Sequence, residues 1–236
     1  MTVLLAAGFV FLAIHLLIAG TRVRDAITTT IGEGVYLGLF SAASLGAIVW
    51  LAISYGAASA SAQNVRLFEL GAGVHDLAIP VMLIAFLIGV PGLMMANPTA
   101  VGQAANASQE EAVRGILRVT RHPFLWGVAI WSAFHLSTNG ELASVILFST
   151  FLLLSVLGTF SIDAKRKRIL GEKWAAFAGR TSNIPFAAIL SGRNTFKLGE
   201  YLDWRFFVAV IIFFAVLFVH ARLIGVSPMP IGWSQL

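Results

Sequence analysis

Apolar residues gather in six blocks along the chain, at about residues 2–20, 35–55, 74–96, 123–138, 141–160 and 206–225. Each is near the ~20 residues that carry a helix across a bilayer, except the fourth, which is short. The polar intervals at 21–34, 97–122 and 161–205 alternate with those at 56–73 and 139–140. The pattern predicts an all-α, polytopic membrane bundle of about six transmembrane helices, forming one domain over residues 1–236. Pro123 opens the fourth block, where a missing N–H costs nothing. Thr138-Asn139-Gly140 reads as a tight turn that makes blocks four and five an antiparallel hairpin. The polar run AASASAQN at 57–64 reads as an outer loop. No basic residue precedes the first block, which reads as a retained span and not as a removed signal.

The basic residues sort by interval. Arg22, Arg24, Arg114, Arg118, Arg121, Lys165, Arg166, Lys167, Arg168, Lys173, Arg180, Arg193, Lys197 and Arg205 fall in the first set of intervals. Only Arg66 and Arg222 fall outside it, so 14 of 16 lie on one side. The positive-inside rule makes that side cytoplasmic and places both termini, including Leu236, on the outer side. With no transit peptide in view, the expected location is a bacterial inner membrane, with both termini periplasmic. The net charge of +5 then reflects cytoplasmic loops and not a nucleic-acid partner.

Composition narrows the chemistry further. Of 236 residues 58% are hydrophobic and 11% charged, with a mean hydropathy of +0.86. The absence of cysteine excludes disulfides, iron–sulfur clusters, thiolate-ligated haem and covalently attached haem. No phosphate-binding or dinucleotide glycine motif is present, and Gly71 and Gly73 alone mean nothing.

Five histidines remain: His15, His75, His122, His135 and His220. Ionisable groups within spans are costly and are functional candidates by default. His15 and His135 are the most embedded. His75 and His220 lie near the outer interface, where a hydrogen bond to a neighbouring helix accounts for them. Helical spacing puts Gly8, Phe11, His15 and Ala19 on one face, and Gly127, Trp131 and His135 on another. Small residues, an aromatic and an imidazole on each face suit a flat macrocycle gripped between two helices, with one imidazole on each side of a haem iron. They equally suit plain helix packing. His15 stands seven residues from Arg22, about 10 Å at 1.5 Å per residue, and His135 twelve past Pro123, about 18 Å, so their heights match only if a helix tilts or starts deep.

The runs RVTRHPFLWGVAIWSAFHLSTNGELASVILF (118–148) and GRTSNIPFAAILSGR (179–193), with GVHDL (73–77) and FLAIH (11–15), carry a resemblance along nearly the whole chain. They resemble the NnrU family, which includes bacterial NnrU proteins and the plant and cyanobacterial 15-cis-zeta-carotene isomerase. The isomerase is a haem b enzyme, and the resemblance implies that His15 and His135 are the axial pair. Arg22, Arg118 and Arg121 are then basic groups available to haem propionates. In the isomerase a cysteine associated with ligand exchange lies three residues before the second histidine; here that position is Ser132. Bacterial NnrU proteins are needed for functional nitrite and nitric oxide reductases. The resemblance therefore implies a haem b-binding membrane protein with a role in denitrification, or alternatively a haem-dependent cis–trans isomerase of a carotenoid-like polyene. Denitrification proteins or a polyene are the corresponding partners, beside the bilayer and the haem.

A second resemblance is more local. RHPFLWG (121–127) looks like the RHP box of membrane methyltransferases, and GEKWAAFAGRTSNIPF (171–186) like their later segment. In that family the two segments meet at the cytoplasmic face to bind S-adenosylmethionine, which would make His122, Arg121, Glu172 and Arg180 the working residues.

Overall fold

The computed structural model describes residues 1–100, 103 and 113–229, and Leu236 lies outside them. They are helical, with no strand beyond a single bridge between Arg66 and Glu141. Helix α1, Thr2–Ala13, continues into a π-helical turn, Ile14–Ala19. Then come α2 (Arg22–Ile31), α3 (Glu33–Ser59), a 3-10 turn (Ala72–Leu77) and α4 (Ala78–Met94). After a second 3-10 turn, Gly115–Arg118, follow α5 (Pro123–Thr138), α6 (Leu142–Leu170), α7 (Glu172–Arg180), α8 (Ala187–Leu190), α9 (Leu198–Tyr201) and α10 (Trp204–Ile224).

Among the described residues five stretches are long and apolar enough to cross a membrane: Thr2–Ala19, Glu33–Ser59, Gly73–Met94, Leu142–Leu170 and Trp204–Ile224. They coincide with five of the six predicted blocks. The fourth block forms α5, whose 16 residues reach about 24 Å against a hydrocarbon layer of about 30 Å. Large apolar side chains stay exposed on these helices, among them Phe9, Leu39, Ile53, Ile211 and Phe218. In water such faces would need a partner; in a multi-pass membrane protein lipid covers them.

Some boundaries move from their expected places, for local reasons. The interval 21–34 contains α2, because the Thr21 side chain caps it by accepting from the Val23 N–H at 3.2 Å. Gly32, at φ +84°, ends it. Helix α6 runs ten residues past the expected end at 160. The stretch SIDAKRKRIL contains no breaker, its last turn carries Lys167 and Arg168, and Gly171 stops it at φ +52°. Helix α3 persists to Ser59, into the expected outer loop.

The described residues form two compact units: residues 1–70 with 132–161, and 71–131 with 162–236, so that α5 and α6 each contribute to both. In the first, α1 packs on α3 through a core of Leu4, Ala7, Phe11, Ala47, Leu51 and Ala143. Gly8 lets α1 approach α6, since a Cβ there would stand 2.8 Å from Thr150 Oγ1. The two intervals expected on the outer side are joined: Leu67 N–H donates to the Gly140 carbonyl at 2.8 Å and Leu142 N–H to that of Val65 at 2.9 Å. Arg66 adds ion pairs to Glu141 and Glu69. The glycine of the predicted turn is required there, because a Cβ on Gly140 would lie 1.8 Å from the Phe68 carbonyl oxygen.

In the second unit, α4 packs against α10, with Phe86 edge-on to Phe213 at 5.7 Å. Pro91 lies inside α4. It has no N–H for the Leu87 carbonyl, and the Tyr201 hydroxyl donates to that oxygen instead, at 2.9 Å. Arg205 Nε donates to the Met94 carbonyl at the C-terminal end of α4. Asp203 caps α10 by accepting from the Arg205 N–H.

Candidate functional site

His15 sits in the wide turn that ends α1. Single π turns inside α-helices recur at functional sites. Its Nδ1 lies 2.7 Å from the Phe11 carbonyl oxygen, which can only accept, so Nδ1 carries the hydrogen. The lone pair is then on Nε2, which faces Ser44 Oγ at 3.5 Å, the outer limit of a hydrogen bond. The ring is enclosed by Phe11 at 4.6 Å and Phe40 at 5.3 Å. An N–H fixed on a backbone carbonyl, with the other nitrogen left basic, is the arrangement a metal-ligating imidazole adopts.

His135 lies three turns into α5, with its ring 5.0 Å from that of Phe148 on α6. Phe151, one turn further along α6, meets Phe11 at 5.8 Å. Aromatic contacts thus run from His15 through Phe11 to α6, and from α6 to His135. Both imidazoles belong to the first unit. Ser132, one turn before His135, is fully buried.

The other expected cofactor contacts are Trp131, Arg121 and Arg22. Trp131 and Arg121 belong to the second unit. Trp131 lines a small apolar hollow of about 180 Å³ together with Gly89, Leu93, Phe124 and Gly127. The Arg121 guanidinium is bound to the Asp163 carboxylate, Nε at 2.9 and 3.1 Å and a terminal nitrogen in addition. Arg22 is exposed in the first turn of α2. The glycines of the two histidine faces are packing contacts: Gly8 on Thr150, and Gly127 on Gly89, whose Cα would stand 2.6 Å from a Cβ at 127.

The RHP segment and the TSNIP segment meet in the second unit. Arg121 N–H donates to the Ser182 carbonyl and Phe186 N–H to that of Val119. The Thr120 hydroxyl donates to the Asn183 carbonyl at 2.6 Å, and Trp126 Nε1 to the same oxygen at 2.7 Å. Phe186 adopts a left-handed φ of +65° in this junction. His122 is buried, its Nε2 2.7 Å from Asp163 Oδ1. Burial holds its pKa below the ordinary value; the Asp163 contact opposes the shift and the Arg121 charge adds to it. The ring is therefore neutral, with Nε2–H donating to the carboxylate. Its Nδ1 has no hydrogen-bond partner among the described residues.

His75 falls in the 3-10 turn before α4. His220 is half-exposed near the end of α10, and its Nδ1 donates to the Val226 carbonyl at 2.8 Å, in the turn that follows its own helix and not on a neighbouring helix as expected. Two residues that organise the second unit drew no attention in the sequence. Asp163 gathers Arg121, His122 and Asn183. Glu200 accepts from Arg118 at 2.7 and 2.9 Å and from the Gly115 N–H. The Arg118 guanidinium, against a smaller opposing effect of burial, holds the Glu200 pKa down to about 2. Asp163 is the single carboxylate of α6, a signal the sequence did carry.

Five helices long and apolar enough to span a bilayer, with large apolar side chains exposed along them, define a multi-pass, all-α membrane protein. The family model described as NnrU protein matches residues 3–228, and the chain belongs to the NnrU family. It is 27% identical over 207 residues to the chloroplastic 15-cis-zeta-carotene isomerase of Zea mays, covering 87% of this chain and 54% of that protein. It is 30% identical over 90 residues to the isomerase of the same name from Arabidopsis thaliana, covering 38% of this chain and 24% of that protein. The chain thus spans about half the length, or less, of these curated relatives. No solved structure matches it.

Proposed function

We propose that the protein is a haem b-binding member of the NnrU family, with His15 and His135 as the two iron ligands, acting on an apolar polyene within the bacterial inner membrane. The observation that carries the reading is the His15 geometry: Nδ1–H fixed on the Phe11 carbonyl, Nε2 basic, the ring held by two phenylalanines in a π-helical turn. The donor set of two embedded imidazoles fits a non-covalent haem. If bound there, a haem would supply a redox-active, Lewis-acidic iron. This chain's own part is to orient the His15 ring through Phe11 and to exclude water with Phe11, Phe40 and Phe148. Ser44 is the hydroxyl that faces Nε2. Arg121 is engaged by Asp163 and Arg118 by Glu200, which leaves Arg22 as the expected propionate partner.

The polyene reading takes its substrate class from the two isomerases. Ser132 favours the second reading, a role in production of functional denitrification reductases, because the exchange ligand of the isomerase is replaced by a hydroxyl. Two measurements test these readings. The detergent-purified protein is expected to show a low-spin b-type haem spectrum that His15→Ala and His135→Ala each abolish and His220→Ala leaves intact. A colourless preparation from haem-replete cells would refute the haem. Reconstituted protein incubated with 15-cis-zeta-carotene then separates the activities: conversion to the trans isomer supports the isomerase, and no conversion by a haem-loaded preparation supports the denitrification role.

A further inference from the structure

Tyr36 stands about one turn into the membrane-spanning helix α3. The residue is 5% exposed, and its hydroxyl oxygen is buried with no hydrogen-bond partner among the described residues. Buried hydroxyls are nearly always paired, because leaving the bond unmade is costly. Inside a bilayer no water makes up the loss. The ring is nevertheless fixed. Phe40 stacks on it at 5.9 Å, with 18° between the planes, and the Arg24 guanidinium lies 5.4 Å from its centroid. Arg24 itself is committed to Glu33 at 2.7 Å and to Asp25 at 3.7 Å. A rigid ring therefore holds out a donor for which the described residues supply no acceptor. Tyr36, Phe40 and Ser44 follow one another at i, i+4 and i+8 and share one face of α3. Phe40 meets the His15 ring at 5.3 Å, and Ser44 Oγ faces His15 Nε2 at 3.5 Å. The same face thus runs from the imidazole, at Ser44, to the phenol of Tyr36, about 12 Å along the axis at 1.5 Å per residue. Side chains lean toward the N-terminus of their helix. The phenol therefore reaches toward the polar start of α3, where Glu33 pairs with Arg24, and the imidazole stays deeper along it. All of these residues belong to the first unit.

We infer that the Tyr36 hydroxyl donates to a carboxylate of the cofactor that His15 holds, a haem propionate; the inference rests on the haem reading proposed above. A haem is an amphipathic disc: its iron and apolar edge favour hydrocarbon, and its propionates favour the polar interface. The His15-facing side of α3 has the same polarity, with the imidazole deep and the O–H near the polar end. An ionised carboxylate only accepts. An O–H donated to it makes one of the stronger hydrogen bonds, and here the donor is already buried and aligned.

The test compares Tyr36→Phe with Tyr55→Phe in the full-length, haem-loaded protein in detergent. Tyr55 is on the same helix, and its hydroxyl is already bonded, to Ser144 Oγ at 3.2 Å. Tyr36→Phe is expected to keep the low-spin spectrum, since both imidazoles remain. It should speed haem transfer to apomyoglobin roughly tenfold and shift the propionate bending band in the resonance Raman spectrum. Tyr55→Phe should leave both readings at the wild-type values. In protein prepared without haem the order reverses: Tyr55→Phe lowers the melting temperature, because it breaks a bond already made, and Tyr36→Phe does not. A haem-loaded Tyr36→Phe protein with unchanged transfer rate and propionate band overturns the inference and leaves the haem reading standing. So does a haem-free Tyr36→Phe protein that melts as low as Tyr55→Phe, which would mean that the hydroxyl has a partner within the chain. A colourless wild type refutes the haem reading itself, and the propionate contact with it.

Discussion

Tyr201 shows how one hydroxyl completes a membrane helix. The missing N–H of Pro91 strands the Leu87 carbonyl in an environment without water, where an unsatisfied backbone group is costly. Burial raises the Tyr201 pKa to about 12, so the phenol remains a donor at any physiological pH. Tyr201→Phe is expected to cost about 1–3 kcal/mol, measured as a shift of the denaturation midpoint followed by tryptophan fluorescence. Pro91→Ala restores the N–H, so in that background the same tyrosine change should cost markedly less. Equal costs in both backgrounds would dismiss the pairing. The partner of Pro91 could not be read from the sequence, because the two ends of the bond are 114 positions apart. Asp163 is a similar case: hydropathy placed it past the end of a span, and only the fold brings Arg121 and His122 onto it. The helical placement of His15 and His135 was readable from the apolar pattern, whereas the π turn around His15 depends on a hydrogen-bond pattern that residue types do not encode.

At the scale of the helix, glycine marks where two backbones touch. Gly127 of α5 and Gly89 of α4 leave no room for a methyl group, and a Cβ at 127 would also stand 2.8 Å from the Ala85 carbonyl. Gly127→Ala is expected to push the two helices apart at a cost of about 1–3 kcal/mol and to lower the melting temperature. Gly46 of α3 has open space around it, so Gly46→Ala should be neutral or slightly stabilising. If the two changes behave alike, the α4–α5 contact does not govern stability. The helices themselves were plain in the hydropathy pattern. Helix α2 and the polar extension of α6 were not, since both depend on caps and charges at helix ends more than on apolar content.

For the whole molecule, the 14-to-2 division of basic residues predicts that a reporter inserted after Arg168 is active only on the cytoplasmic side. Activity on the outer side would overturn the orientation. The short helix α5 has a further consequence, for the membrane itself. The apolar part of α6, residues 142–162, extends about 31 Å, a match to an ordinary bilayer, while α5 extends only about 24 Å. Lipid beside α5 must compress by several ångströms or leave polar chain ends in hydrocarbon, at a fraction of a kcal/mol for each ångström. The protein is therefore expected to melt at higher temperature in bilayers of short acyl chains than in those of long ones, and a melting temperature indifferent to chain length would mean that lipid does not touch α5. Where the lipid does adapt, the protein carries a preference for thin membrane and draws short-chain lipids around itself.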